Sequence, residues 1–140
     1  MRLWHQKLIP YLPRQQLLGQ HRECCALRGK GWGRKHATVD YVFTHSPDYL
    51  IAYHFLVMRE MRQRSYSPDD AWDNPNYRGS VLGIEQDRSN PKALCSILTS
   101  TAISGETIYF EHDDAYLQEC IENLESKGVD MSAAKEALYG

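Results

Sequence analysis

The sequence predicts an all-α fold: a compact bundle of three main helices joined by long irregular connections. Three observations predict it. Apolar residues recur at i, i+3, i+4 and i+7 in three separate stretches. Each stretch opens near a proline, a Ser-Pro pair or an aspartate suited to a helix start. A single short run, 107–110, is β-prone, and it stands isolated.

Taken in order, Pro10 and Pro13 break the opening segment, and residues 14–28 then read as a helix. Leu17, Leu18, His21, Cys24, Cys25 and Arg28 form its buried stripe, while Gln16, Gly19, Gln20 and Glu23 form a narrow polar one. Gly19 costs about 1 kcal/mol of helix propensity relative to Ala, so another surface is expected to approach closely there. Residues 29–36 hold Gly29, Gly31 and Gly33 and read as a basic loop. Ser46-Pro47-Asp48 starts a second helix, running to about Arg64 and apolar on most faces, as a central core helix should be. Residues 65–92 carry Pro68, Pro75, Gly79, Gly83 and Pro91 and read as a long loop, part of an insertion around 65–105. Asn90-Pro91 opens a short helix through Leu98. A third main helix spans about 113–127, with Gly128 as its stop, and residues 132–138 make a last short one.

At 140 residues the chain is expected to form one domain, 1–140, with a core that needs neither disulfide nor metal. Four cysteines, two of them adjacent, make no disulfide framework and suit reduced thiols in a cytoplasm. No apolar run approaches the roughly 20 residues that cross a bilayer, and the first residues lack a secretory h-region. His21, Cys24 and Cys25 have the spacing of a thiol–imidazole pair or half a zinc site. No matching second half exists in the sequence, and core packing accounts for them.

Charge is where the sequence speaks of function. Glu23 is the only acid in residues 1–36, among eight basic residues, so that segment carries +7. The whole chain carries −2, which leaves −9 for residues 37–140. Such a split suits one end that meets a polyanion, with a single carboxylate retained inside that field for a task. Arg28, Lys30, Arg34 and Lys35 with the loop glycines can cradle phosphates, and Trp32 can stack on a base or wedge into a duplex. The N-terminal α-amine is a second candidate, because α-amines as a class titrate about two to three units below lysine and are usable nucleophiles near neutral pH. Arg2, Leu3, Trp4 and Leu8 make this terminus apolar and basic, fit for docking rather than fraying.

These residues resemble a known family. Leu17 through Glu23, then Gly29, Arg34-Lys35-His36 and Ser46-Pro47, follow the order and spacing of the pyrimidine-dimer DNA glycosylase (phage endonuclease V) family. Residues 107–110 and the helix carrying Cys120, Ile121, Leu124 and Gly128 resemble its later aromatic-then-helix segment. The resemblance covers about 1–50 and 106–130, and its weight lies in order rather than in any one motif. It implies an all-α enzyme that cuts the glycosidic bond of a damaged base in double-stranded DNA and then nicks the abasic strand. The implied nucleophile is the amine of the first residue, here Met1, retained because Arg2 is bulky; the implied acid is Glu23. Arg2, Gln16, Arg22, Arg28, Lys30, Trp32, Arg34, Lys35 and His36 would then face DNA, with no cofactor, metal or obligate protein partner. Gln16 stands where the family has a histidine, the aromatic basic tail is missing, and the acidic remainder is unlike a strongly basic DNA enzyme. Those departures bear on which lesion is read.

Two rival readings use the same residues. A non-catalytic nucleic-acid-binding module would use the basic end alone, with salt-sensitive binding indifferent to Glu23. A small interaction protein would use the charge split to self-associate.

Overall fold

The computed structural model describes residues 1–30 and 38–140, and within them the fold is all-α. Helix α1 (Arg14–Arg28) begins directly after Pro13 and ends at Gly29. Helix α2 (Pro47–Gln63) has proline in its first turn and Asp48 facing the positive end of its dipole. Helices α3 (Pro91–Ser104), α4 (Asp114–Ser126) and α5 (Ser132–Tyr139) follow. The Asn90 side chain caps α3 by accepting from the Lys92 and Ala93 N–H groups, and Asp113 caps α4 by accepting from Tyr116 N–H.

Helix α2 is the axis of the molecule. It packs along α1 on one side and α3 on another, and also touches a 3-10 turn (Gln6–Tyr11) and a second one (Asp40–Phe43). The core runs from Leu3, Leu8 and Leu17 through Tyr53 and Met58 to Tyr109, Ile121 and Met131, all nearly excluded from solvent. The opening segment is part of that core: Leu3 is 0% exposed and His5 1%. Its backbone is held from several directions. Tyr116 Oη donates to Leu3 O at 2.6 Å, His112 Nδ1 accepts from Gln6 N–H at 3.1 Å, and Arg64 donates to the carbonyls of Leu12 and Pro10.

The structure corrects two expectations and shows what the isolated 107–110 run does. Residues 65–90 are not a free loop: they contain a 3-10 turn (Asp70–Asp73) and an isolated bridge between Tyr77 and Ile84. Asp48, buried at the start of α2, clamps their end by accepting from Ser89 Oγ and Asn90 N–H. Helix α3 continues past Leu98 to Ser104, where Gly105 takes φ +72° and returns its N–H to Thr101 O. Residues 107–110 form a turn whose Ile108 and Tyr109 plug the core, since no neighbouring strand offers them a ladder among the described residues.

Candidate active site

The N-terminal segment and α1 meet at one side chain. Gln20 is 1% exposed and uses every hydrogen-bonding position it has. Its Oε1 accepts from Trp4 N–H at 2.6 Å and from Tyr53 Oη at 2.8 Å. Its Nε2 donates to Arg2 O at 3.1 Å and to Glu23 Oε2 at 2.8 Å. The main-chain donor and acceptor leave the amide a single orientation. Tyr53 Oη also lies 2.6 Å from Trp4 O, so its one proton serves both acceptors.

Glu23 faces an open cleft of about 510 Å³, lined also by Met1, Arg2, Trp4, Thr38, Asn123 and Lys127. Four stretches separated in sequence thus build it: the first residues, α1, Thr38, and the end of α4. Thr38 Oγ1 donates to Met1 O, and Lys127 Nζ sits 5.1 Å above the Trp4 ring. Partial burial raises the Glu23 pKa above the ordinary carboxylate range, opposed by the positive charges of the α-amine, Arg22 and Lys127. Two residues lining the cleft each carry a buried polar atom without a hydrogen-bond partner among the described residues: Arg2 Nη1, with Glu119 at 4.0 Å, and Asn123 Oδ1.

The other expected site residues divide. Arg22 and Lys30 are exposed and Gln16 is half-exposed, so each is open to a ligand. Arg2 is mostly covered, its guanidinium lying against the rings of Trp4 and Tyr116. Trp32, Arg34, Lys35 and His36 lie outside the described residues. Arg28, expected to hold a phosphate, is turned inward and 3% exposed. Its Nη1 donates to His54 Nδ1 and Trp72 O, its Nη2 to Asn74 O and Tyr77 O, and Nε is buried. It ties the 72–77 segment to α1. Gly19 differs too: a Cβ there would meet only Arg22 Nη2, at 3.8 Å, so no part of the described chain crowds it.

His21 and Cys25 do gain a partner that the sequence did not offer, His54 on α2. The three ligand atoms lie within 4.8 Å of one another, with His21 Nδ1 and His54 Nε2 at 2.8 Å. A guanidinium can only donate, so Arg28 makes His54 Nδ1 an acceptor and places the imidazole proton on Nε2. That proton then points at His21 Nδ1. A cation would need the same lone pair, a thiolate from Cys25, whose pKa burial lifts to about 11, and a place beside the guanidinium charge. The cluster is a hydrogen-bonded chain, not a ligand cage.

Gln20, Asn123, Lys127, Thr38 and Tyr53 carried no site role in the sequence. Gln20 alone had a signal, its place one turn before Glu23 on the polar stripe; Asn123 and Lys127 enter only through the packing of α4.

The basic first helix and the charged cleft beside it offer a surface suited to a polyanion. The chain belongs to the pyrimidine dimer DNA glycosylase family, whose model matches residues 1–74, just over half its length. No curated protein and no solved structure is significantly similar to it. DNA is accordingly its substrate, and no described helix is long and apolar enough to cross a membrane.

Proposed function

We propose that the protein removes a damaged pyrimidine and then cleaves the abasic strand, through an imine formed on the Met1 α-amine with Glu23 as the acid–base group. The observation that supports this most is the shared cleft, in which Met1 and Glu23 face the same open volume and the amine's charge acts on the carboxylate. In the first step the amine nitrogen bonds to C1′ as the C1′–base bond breaks, the electron pair leaving with the base. The ionised Glu23 stabilises the oxocarbenium character of the transition state, as a glycosidase carboxylate does. The adduct sheds a proton, the C1′–O4′ bond opens with protonation of O4′, and a protonated imine remains. Glu23 then accepts a C2′ proton, the C3′–O bond breaks, and the 3′ phosphate departs.

Arg22, Lys30 and the 31–37 segment would hold the backbone of a kinked duplex with a base turned out. On this reading residues 1–140 act as one domain, and 65–105 are an insertion bracing α1 and α2. The test is borohydride trapping on DNA with an abasic site. A covalent adduct mapping to residue 1 is expected, and Glu23→Gln should lower its rate about a hundredfold, within the range of acid–base contributions. An adduct on a lysine, or none with DNA that is demonstrably bound, ends the amine assignment and leaves the binding-module reading.

A further inference from the structure

We infer that Gln20 is a positioning residue that sets the separation and ionisation of the amine–carboxylate pair, an inference that rests on the reading above. One amide holds both halves of that pair. Through Nε2 it grips the Arg2 carbonyl, one residue from the amine, and Glu23 Oε2. Through Oε1 it is fixed to Trp4 N–H and to Tyr53 on α2, so the grip cannot drift with the cleft surface. Rotating the amide by half a turn would set Nε2 against a main-chain N–H, and Oε1 against a carbonyl and a carboxylate. The local polar network therefore has one arrangement. In it Glu23 receives a donor on the buried side while its exposed side stays open to the cleft. A reacting sugar would then meet a carboxylate whose orientation is settled before binding.

Gln20 touches no substrate in this scheme and acts only through Glu23 and the first residues. Its removal should change chemistry more than affinity. In Gln20→Met, of similar length and without donors, the trapping rate at pH 7 should fall about tenfold while the Kd for abasic DNA moves less than twofold. The acid limb of the pH–rate profile should move upward by at least half a unit, because the ionised carboxylate has lost an N–H donor.

Two measurements stand apart from catalysis. The Glu23 carboxyl titration, followed by carbon NMR in the free protein, should shift upward in Gln20→Met. In the unaltered protein the Gln20 side-chain amide resonances should move with the midpoint of Glu23, a readout that survives even if the variant fails to fold. Flat amide resonances across that titration, or a folded Gln20→Met with unchanged profile and titration, overturn the inference. Absence of any trapped adduct in the unaltered protein overturns the amine reading instead, and leaves the titration arms to judge Gln20.

Discussion

At the residue scale, Arg28 had two claims on it. Its position on the stripe with Leu17, Cys24 and Cys25 pointed inward, while its charge pointed to phosphate. Spacing won, because carbonyls of the 72–77 segment, 44 to 49 residues away, accept its donors. Those acceptors have no trace in the sequence around Arg28. Removing it in Arg28→Met should cost roughly 2–4 kcal/mol, since three carbonyls and an imidazole lose their donor in the interior. Urea denaturation measures this, and DNA affinity measured on the folded fraction should hardly change. The buried histidines set the acid stability. Burial lowers His54 well below 6.5, lowers His21, and takes His112 to about 3, so all are neutral in the fold while the unfolded chain takes up protons below 6.5. The stability they contribute is fully present above pH 6.5 and is lost as pH falls towards about 3; Glu23, with its raised pKa, works the other way. Unfolding midpoints at several pH values should decline through that window, and His112→Phe should flatten the decline.

At the element scale, helix starts were legible because their signals are local. Pro13, Ser46-Pro47, Asn90-Pro91 and Asp113 each act within a turn, and each stands where a helix begins. Local order in 65–90 was not legible, since it depends on partners far apart in sequence: Asp48 reaches in from α2, and Arg78 reaches out to donate to the carbonyls of Arg28 and Gly29. Gly19 sits between the two cases. Its helix penalty is visible in sequence, and among the described residues its surface stays open. Gly19→Ala should raise stability by up to about 1 kcal/mol. On the proposed reading it should also weaken DNA binding several-fold in a titration. Stabilisation with unchanged binding would remove α1's polar face from the interface.

At the scale of the whole molecule, the charge split should govern association on the proposed reading. Each phosphate contact adds about −0.9 to the slope of log K against log salt. With Arg28 withdrawn, Arg22, Lys30, Arg34 and Lys35 give an expected slope of roughly −3 to −4, measurable by fluorescence anisotropy. The acidic remainder contributes no attraction, and a slope near zero would favour recognition without backbone contacts. The cleft was half legible: Glu23 stood out by charge, whereas its far wall is supplied by Asn123 and Lys127, about a hundred residues on. That wall bears on how the cleft comes together. Leu3 O accepts from Tyr116 Oη and Gln6 N–H donates to His112 Nδ1, so the seat that α1 and α2 give the opening segment is completed only when the 108–116 stretch closes over it. A chain cut before α4 should therefore lack the far side of the cleft and, on the proposed reading, form no trapped adduct with abasic DNA.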